Sequence, residues 1–293
     1  MSSTANVRVC AVIPTHNRTE LLLETLDGLA RQTRPADSVL LVDNASTDGV
    51  GDAARQRLPG IEILRFEINS GSAGGFGRGA RWAFEAGYDW IWLLDNDSEP
   101  EPEALAALLD AHARFPADDA PVLLASKVVW TDGSILPLNV PMFKRKDPAL
   151  LYRAAEHGTV SLRNAPYAGV LVHRDAIAEH GVPVEKYFLW NDDIEWTGRI
   201  LRSGFGVLVP SSVVCHKTPG NPKTTAAAGP RFFYEVRNKL WMVRCSDAYS
   251  PLERLAFLLA LVRETGRYLS RTPTPASIWT VVRGLAAGLA DGP

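Results

Sequence analysis

The sequence is poor in cysteine, in long apolar runs and in net charge, and each shortage excludes a class of protein. Its 293 residues include three cysteines, Cys10, Cys215 and Cys245, whose spacing fits neither a disulfide framework nor a zinc knuckle. No window holds the roughly 18 uninterrupted apolar residues that a membrane span needs. The formal net charge of −2 gives no general attraction to nucleic acid. We therefore expect reduced cysteines and no nucleic-acid partner.

The start of the chain and its apolar content favour a cytoplasmic globular protein. Residues 1–6 are small and polar, without the charged and apolar regions of a signal peptide. The apolar share of 46% provides ample material for a core. The length predicts one large domain, or one domain with a C-terminal appendage.

Segments typical of strands alternate with segments typical of helices over the first 130 residues. Strands are predicted at residues 7–13, 38–42, 61–66 and 90–94. This alternation predicts βαβ units and a mostly parallel sheet flanked by helices. Polar or glycine-rich residues follow each predicted strand, and open sheets of this kind bind ligands at the carboxyl ends of their strands.

Two carboxylates, Asp95 and Asp97, directly follow the apolar strand predicted at 90–94. Carboxylates this close repel each other unless a cation lies between them. Oxygen ligands at an open edge suit Mg²⁺ or Mn²⁺ holding a phosphate. The alternative is a helix N-terminus, which favours negative charge whether or not a metal is bound.

Capping patterns predict where two helices begin. Ser98 and Glu101 have the spacing of a capping box and predict a helix over 102–115. Asn17 and Glu20 have the same spacing and predict a helix that follows the first strand. Asp48 lies in a turn, where we expect it to cap the backbone rather than bind a ligand.

A glycine-rich segment after the third strand fits the dinucleotide-binding pattern G-x-G-x-x-A at residues 75–80. That fingerprint belongs after the first strand of a Rossmann unit, so its position argues against a dehydrogenase. We instead expect a glycine-rich turn at a helix N-terminus, where bare N–H groups can approach a phosphate or a sugar.

The second half of the chain is less regular. Residues 131–162, with the basic run Lys144-Arg145-Lys146, predict a surface excursion, and residues 218–230 predict a flexible loop. Strands are predicted at 121–130, 168–173 and 206–214, and helices at 174–180, from 191 toward 203, and over most of 231–293.

Asp192 and Asp193 open one of these helices directly after an aromatic run. They either supply favourable N-terminal charge, or one of them removes a proton from a substrate hydroxyl. The neighbouring aromatic side chains fit sugar stacking, although part of the set suits core packing equally well. The aromatic set comprises Tyr187, Phe188, Trp190 and Trp196.

The C-terminal segment is basic. Between Arg231 and Arg283 there are nine Lys or Arg residues against four Asp or Glu, interleaved with apolar residues. Such a surface can rest on an anionic membrane, which would place the protein at the inner face of that membrane. The alternative is that the segment packs on the rest of the chain or on a second subunit, giving a homodimer.

Several motifs together resemble family 2 of the nucleotide-sugar glycosyltransferases. Pro14-Thr-His-Asn-Arg18, Val42-Asp-Asn-Ala-Ser-Thr-Asp48, Asn69-Ser-Gly71 and Leu94-Asp-Asn-Asp97 match in order and spacing. The glycine-rich segment, Asp192-Asp-Ile-Glu-Trp196, a late histidine and residues 232–238 look most like its galactofuranosyl- and rhamnosyltransferase branch. The resemblance covers about residues 7–245.

The resemblance implies a GT-A fold, an α/β Rossmann-like arrangement with a helical C-terminal appendage. Residues 1–230 would form the catalytic domain, with a nucleotide-sugar half at about 7–130 and an acceptor and metal half at about 131–230. Residues 231–293 would form the appendage.

The resemblance also implies residue roles. Asp97 would bind the metal directly and Asp95 would face the ribose or a metal-bound water, with His216 as a third ligand and Asn96 where the family often has Asp. His216 could instead be structural, and Arg18 a surface charge. The implied donor-binding residues are Thr15, Arg18, Asp43 (at the pyrimidine), Asn69, Gly74, Gly75 and Asp95.

For the chemistry, the resemblance implies that Asp193 is the base and that Asp192, Trp190 and Glu195 hold the acceptor, although the two aspartates could exchange roles. The function expected is inverting, Mn²⁺- or Mg²⁺-dependent transfer of galactofuranose or rhamnose. The donor would be a UDP- or dTDP-sugar, and the acceptor a glycan, a lipid-linked saccharide or a small molecule. A sugar nucleotidyltransferase and a catalytically inactive sugar-nucleotide-binding module remain alternatives.

Overall fold

A computed structural model describes residues 7–144, 146–220 and 224–293. Within those ranges, ten strands form one sheet. The strands are β1 Val9–Thr15, β2 Ser38–Asn44, β3 Glu62–Phe66, β4 Trp90–Leu93, β5 Ser98–Pro100, β6 Leu123–Val129, β7 Met142–Phe143, β8 Val160–Asn164, β9 Val170–His173 and β10 Gly206–His216. The predicted strands are all present, with ends shifted by a few residues.

Ten α-helices accompany the sheet in the described part of the chain. They are α1 Thr19–Ala30, α2 Val50–Arg57, α3 Gly71–Glu85, α4 Ala104–Ala113, α5 Pro148–Glu156, α6 Arg174–His180, α7 Asp192–Ser203, α8 Phe232–Cys245, α9 Pro251–Arg271 and α10 Pro275–Ala290. The predicted alternation of strands and helices over the first 130 residues is confirmed.

The sheet is mixed but mostly parallel. Its order is β3-β2-β1-β4-β9-β6-β10-β8-β7, and β5 pairs with β10 beside this path. The first four strands of that order are parallel, β9 is antiparallel to both of its neighbours, and β10 is again parallel to β6. Only β5, β8 and β9 run against the others among the described strands. The prediction of a mostly parallel sheet is confirmed.

The central strand β4 is buried on both faces. Trp90 and Trp92 belong to the apolar cluster under α1 and α4, whereas Ile91 and Leu93 belong to the cluster under α3. Helices therefore cover both sides of the sheet at this strand, which explains why its sequence is a continuous apolar run. The residues that follow this strand, the acidic motif Asp95-Asn96-Asp97, therefore lie at the edge of the sheet.

The glycine-rich segment is a helix, so the prediction of a glycine-rich turn is wrong. Residues 71–85 form α3, and Gly75 and Gly79 face the sheet. A Cβ on Gly75 would lie 2.6 Å from Cβ of Pro14, and one on Gly79 would lie 2.4 Å from Cγ1 of Val12. The glycines are therefore needed because α3 packs closely against β1.

The predicted helix at 102–115 does not begin at the Ser98 capping box. Ser98–Pro100 instead forms β5, and the backbone N–H of Glu101 donates to the carbonyl of Val213 on β10. The helix α4 begins only at Ala104. Pairing with β10 therefore outweighs the local capping signal.

The start of α1 is also different from the prediction. Asn17 has a positive φ of 52°, and its side-chain oxygen accepts a hydrogen bond from the N–H of Thr47, 2.8 Å away. The cap comes from Asp48, whose Oδ2 accepts from the N–H of Thr19 at 3.2 Å. The prediction that Asp48 caps the backbone is thereby confirmed.

Residues 131–162 are more ordered than a surface excursion. They contain β7, α5, most of β8 and a short 3-10 helix at Pro137–Asn139, and Leu136 is fully buried. Arg145 of the basic run lies outside the described residues, as do residues 221–223 of the predicted loop at 218–230. The described part of that loop has short 3-10 helices at Thr225–Ala227 and Gly229–Arg231.

The C-terminal helices pack on the rest of the chain through α8 and the beginning of α9. Trp241 of α8 shares an apolar cluster with Ala73 and Tyr187. Arg163 of β8 pairs with Glu253 of α9, 2.6 Å away. These contacts cross the domain boundary predicted at residue 230, which stays a prediction. No helix of the described part of the chain is long and apolar enough to cross a membrane.

Candidate active site

The strand register brings the predicted nucleotide-binding residues to one edge of the sheet. In the pairing of β1 with β2, Thr15 lies beside Asp43. The adjacent strand β4 ends at Leu93, two residues before Asp95. Because these strands are parallel, their carboxyl ends meet at the same edge, as the sequence predicts.

The pairing of β5 with β10 brings together the three predicted metal ligands. It aligns Ser98 with His216. Nε2 of His216 then lies 2.9 Å from Oδ1 of Asp97 and 3.9 Å from Oδ2 of Asp95. One ligand atom from each of the three residues lies within 4.8 Å of the others, and no second such cluster occurs among the described residues.

The imidazole of His216 is oriented by Asn139, a residue that the sequence analysis missed. Its Nδ1 lies 3.0 Å from Oδ1 of Asn139. The amide oxygen can only accept, so Nδ1 carries a hydrogen. Nε2 faces Oδ1 of Asp97, to which it donates while the ring is protonated, and it would bind a cation through its lone pair once that proton is lost. No motif marks Asn139, because it lies in the segment interpreted as a surface excursion.

The three side chains perturb one another's protonation. Burial raises the pKa of Asp95 to about 6, which the charge of His216 opposes and that of Asp97 increases. Burial also acts to raise the pKa of Asp97, but the hydrogen bond and charge of His216, with the charge of Arg18, lower it overall. The carboxylates outweigh burial at His216, whose pKa is raised.

The donor set fits a divalent cation. Two carboxylates and one neutral imidazole form a combination that Mn²⁺ accepts, whereas Mg²⁺ prefers oxygen ligands throughout. A cation would also offset the repulsion from Asp97, which adds to the effect of burial on the pKa of Asp95.

Arg18 supplies positive charge beside the acidic cluster. It is exposed immediately before α1, and its charge lowers the pKa of Asp97. Within the described ranges, its guanidinium makes no ion pair shorter than 4.0 Å. This leaves it available to an anionic ligand at the sheet edge.

The side chain of Asp43 is buried and held from two sides. Its Oδ1 accepts from the N–H of Ser46 at 2.8 Å, and its Oδ2 pairs with Arg65, which the sequence analysis did not single out. A carboxylate has about four lone-pair sites, so this one can still accept from a nucleotide base. The middle residue of the acidic motif, Asn96, donates to Oγ1 of Thr15 at 3.0 Å, which ties the motif to the end of β1.

The remaining predicted donor residues have local partners. Oδ1 of Asn69 accepts from the N–H of Gly71 at 2.8 Å. Gly74 and Gly75 lie in the first turns of α3, where Gly74 packs against Ser70 and Gly75 against Pro14. Packing thus accounts for both glycines, and donor contacts of these three residues stay predictions.

The segment that precedes Asp192 and Asp193 has a strained backbone held by the C-terminal helix α8. Phe188, Trp190 and Asn191 all have φ between 62° and 64°, a region that side chains disfavour. Nδ2 of Asn238 lies within 2.7–2.8 Å of the carbonyl oxygens of Tyr187, Leu189 and Trp190. The conformation that places Asp192 and Asp193 therefore depends on a residue almost 50 positions away in the chain.

Both aspartates have raised pKa values. Burial raises the pKa of Asp193 to about 7, and the charges of Asp95 and Glu235 add to this effect. Burial and the charge of Asp193 raise the pKa of Asp192 well above its usual value. Its Oδ2 is also buried without a hydrogen-bond partner among the described residues. The environment of Asp192 thus favours the neutral acid, whereas Asp193 titrates at about pH 7.

Only part of the predicted acceptor platform is open to a ligand. Trp196 and Tyr187 are fully buried in the core, whereas Phe188 and Trp190 are partly exposed. Phe188 stacks on Tyr234 of α8, with ring centres 5.1 Å apart. The core-packing alternative therefore applies to Tyr187 and Trp196.

Glu195 has contacts that disagree with the predicted acceptor-binding role. It is buried, and its Oε1 accepts from Nε of Arg199 at 3.0 Å and from Oγ of Ser246 at 2.7 Å. Its Oε2 accepts from the same guanidinium at 3.2 Å. Glu195 thus faces the core, because the position that follows the two aspartates by about half a turn of α7 points inward.

The fold is the GT-A fold of glycosyltransferases. TarS from S. aureus (residues 1–349, in complex with UDP-GlcNAc) superposes with a TM-score of 0.61, covering 98% of this chain and 82% of that one, at 15% identity. A mannosyltransferase from Pyrobaculum calidifontis, in complex with GDP-Man and Mn²⁺, superposes with a TM-score of 0.57 at 19% identity and covers 99% and 78%. At these identities the likeness establishes the fold.

The sequence comparisons establish the family. The Glycosyl transferase family 2 model matches residues 10–134. The galactofuranosyltransferase GlfT1 of Mycolicibacterium smegmatis is 31% identical over 70% of this chain and 69% of its own length. The N-acetylglucosaminyl-diphospho-decaprenol L-rhamnosyltransferase of Mycobacterium tuberculosis is 30% identical over 71% and 77%. The chain belongs to glycosyltransferase family 2 and is a transferase enzyme.

Proposed function

We propose that this glycosyltransferase transfers galactofuranose or rhamnose from a UDP- or dTDP-sugar, with inversion, in the presence of Mn²⁺ or Mg²⁺. The observation that carries the proposal is that the acidic cluster at the sheet edge lies close enough to Asp193 to affect its protonation. Asp95, Asp97 and His216 provide a ligand set for a divalent cation, and the charge of Asp95 also raises the pKa of Asp193. A cation site and a titrating carboxylate are thus electrostatic neighbours.

The metal site is assigned to Asp97, His216 and Asp95. Asn139 accepts from Nδ1 of His216, which leaves Nε2 as the nitrogen that would bind the cation. A divalent cation at this position would stabilise the negative charge that develops on the leaving diphosphate. Arg18 adds a second positive charge for the same diphosphate.

Asp193 is proposed as the base. An efficient base has a pKa near the working pH, and that of Asp193 is about 7. It would take the proton of the acceptor hydroxyl while that oxygen forms a bond to C1 of the sugar. The bond from C1 to the diphosphate oxygen breaks on the opposite face, and the anomeric centre inverts.

Asp192 is proposed to hold the acceptor rather than to act as base. Its raised pKa favours the neutral acid, which can hydrogen-bond an acceptor hydroxyl but is a poor base. Its partnerless buried Oδ2 would gain a hydrogen bond from an acceptor hydroxyl, and an unpaired buried oxygen costs about 1–3 kcal/mol. The partly exposed ring of Trp190 would stack on the acceptor.

The relatives support the choice of sugars and a lipid-linked acceptor. The two families of relatives described above are named for galactofuranosyl and L-rhamnosyl transfer, the latter to a diphospho-decaprenol. A third relative, the undecaprenyl-phosphate mannosyltransferase of Micrococcus luteus, is 41% identical over 36% of this chain and 44% of its own length.

A panel of melting temperatures tests the donor and the metal. UDP, dTDP, GDP and NAD are each added with and without Mn²⁺, because a ligand that binds only the folded state stabilises it by about 2.7 kcal/mol at a hundredfold excess over Kd. We expect stabilisation by UDP or dTDP only with Mn²⁺, and none of it in Asp97→Asn. Stabilisation by NAD alone would support the dinucleotide alternative.

Transfer assays with two isosteric variants test the base. We expect Asp193→Asn to abolish transfer while keeping the Mn²⁺-dependent thermal shift with the nucleotide. Asp192→Asn is the matched control, because an amide resembles the neutral acid, and we expect it to retain measurable transfer. Unchanged turnover in Asp193→Asn would remove Asp193 as the base.

A further inference from the structure

The exposed apolar side chains of this protein are concentrated on its last two helices. Nine of the fifteen large apolar side chains that are exposed within the described residues lie on α9 and α10. Large apolar patches on the surface of a soluble protein mark interaction sites, whereas isolated apolar residues do not. The distribution on each helix shows that these residues form rows.

On α9 the exposed apolar residues follow the helical repeat. Leu252, Leu255, Leu259 and Val262 are separated by three, four and three residues, so they form one continuous row. The buried positions of α9, including Leu261 and Tyr268, lie on the opposite side and pack in the cluster with α8. The helix is thus apolar on two sides, and only one of them is covered.

On α10 the same arrangement recurs. Ile278, Val282, Leu285 and Leu289 are separated by four, three and four residues, and Trp279 is 62% exposed beside them. The small residues of α10 form its other side, where Gly284 and Gly288 contact Val236 and Leu240 of α8. This row too is directed away from the contact with α8. These two rows are named the apolar rows below.

The charges beside the apolar rows are positive. The two helices contain five arginines and two glutamates, and neither glutamate is free. Glu253 pairs with Arg163, and Glu264 accepts hydrogen bonds from Thr224 and Arg267. Arg263, which is 65% exposed, lies 3.6 Å from Glu264 and shares that carboxylate with Arg267. With Arg271 at the end of the helix, this leaves an excess of positive charge at the end of the α9 row.

We infer that the apolar rows of α9 and α10 dock on the surface of an anionic lipid bilayer. A helix that lies in the plane of a membrane buries an apolar row, presents arginines to anionic headgroups and often carries tryptophan at the interface. A second copy of this chain is a less suitable partner for these rows. Symmetric pairing of the α9 rows would bring the arginines of both copies together, and α9 has no free carboxylate to neutralise them. The inference goes beyond the proposed reaction and does not depend on the sugar.

Vesicle flotation of the full chain tests the inference. We expect binding at low salt to vesicles that contain phosphatidylglycerol, weaker binding to pure phosphatidylcholine, and loss of binding as salt is added. Val262→Glu should weaken binding to the anionic vesicles at least about tenfold, because it places a carboxylate in the apolar row. Arg263→Gln combined with Arg271→Gln should weaken binding to anionic vesicles only.

A matched variant separates docking from a general surface effect. Tyr152→Glu replaces a side chain on α5 that is 74% exposed, comparable with the 71% of Val262, and should bind vesicles as the wild type does. Failure of the wild type to float with anionic vesicles, or equal binding by Val262→Glu, would overturn the inference. A molar mass that rises with concentration without vesicles, and falls to that of the monomer in Val262→Glu, would assign the rows to a second copy.

The same samples keep this result separate from the proposed reaction. Each variant is also tested for the Mn²⁺-dependent thermal shift with UDP and dTDP. A normal shift in Val262→Glu shows that the protein is folded with its nucleotide site intact. If a variant loses vesicle binding but keeps a normal thermal shift, the result bears on the apolar rows and leaves the proposed function untouched. If the wild type shows no thermal shift, the result contradicts the proposed function and leaves the docking inference untouched.

Discussion

The side-chain nitrogen of Asn238 lies 2.8 Å from the carbonyl oxygen of Trp190. The same nitrogen bonds two further carbonyls of this segment, so one amide of α8 supports a backbone with three positive φ values. Its neighbour Arg237 also donates to the carbonyl of Tyr187 at 2.8 Å. Helix α8 is thus part of the support for Asp192 and Asp193, the aspartates proposed to act on the acceptor.

Replacing Asn238 by alanine should therefore reduce turnover more than stability alone explains. The three carbonyls lose their donor, so the segment can relax and the aspartates move, and small displacements of catalytic groups cost up to about a hundredfold. We expect kcat to fall at least about tenfold, whereas the Mn²⁺-dependent thermal shift with UDP or dTDP should be retained. Wild-type kcat in a folded Asn238→Ala would contradict the positioning role.

Two further variants sharpen this prediction. Asn238→Asp keeps the shape but replaces the donating nitrogen by oxygen, so it should be as impaired as the alanine variant. Thr280→Ala removes a hydroxyl that bonds only within α10, and it should leave kcat unchanged. Rescue of kcat in Asn238→Asp would indicate that shape, rather than hydrogen bonding, matters at this position.

Asn139 should matter to metal affinity although it contacts no predicted substrate. Removing the partner of a metal-ligating histidine costs about 10–100-fold in metal affinity or activity. Asn139→Leu should therefore raise the Mn²⁺ concentration needed for half-maximal transfer by about that factor, with little change at saturating Mn²⁺. A variant of the exposed neighbour, Leu138→Asn, is the control, and equal Mn²⁺ curves for Asn139→Leu and wild type would refute the assignment.

The rate should rise with pH as Asp193 loses its proton. The raised pKa means that the carboxyl is protonated, and inactive as a base, below about 7. A cation that offsets the charge of Asp95 would lower this midpoint. The kcat–pH profile should thus have an ascending limb with a midpoint at or below about 7. A flat profile between pH 5 and 8 would argue against Asp193 as the titrating base.

The glycines of α3 can be tested as packing residues. A Cβ on Gly75 meets the rigid ring of Pro14, so Gly75→Ala should destabilise the fold by roughly 1–3 kcal/mol in chemical denaturation. In α2, a Cβ on Gly51 has its nearest neighbour, Ile63, at 3.8 Å. Gly51→Ala should therefore be stabilising by up to about 1 kcal/mol. Equal stabilities of the two variants would refute close packing at Gly75.

The sequence predicts the first half of the fold well because its signals there are periodic and local. The apolar run at 90–94, and the alternation of predicted strands with predicted helices, indicate a buried parallel sheet. The carboxyl ends of its strands then bring Thr15, Asp43 and Asp95 to one edge. The capping signals at Ser98 and Asn17 are local too, but they are wrong, since pairing with β10 and the bond to Thr47 compete for the same groups. A weak local preference yields where a tertiary partner is available.

The sequence thus determined which acidic and basic residues are candidates for the site. Only the tertiary structure decided their burial and their contacts. The motifs pointed to Asp97, Asp193 and His216, but nothing in them indicated Asn139, which comes from an irregular segment. Burial depends on everything packed around a group, and it raises the pKa values of both Asp192 and Asp193. Packing also directs the carboxylate of Glu195 toward Arg199. The sequence shows which residues can act as acids, bases or metal ligands. The distances between these side chains, and their desolvation, arise only when remote segments of the chain pack together.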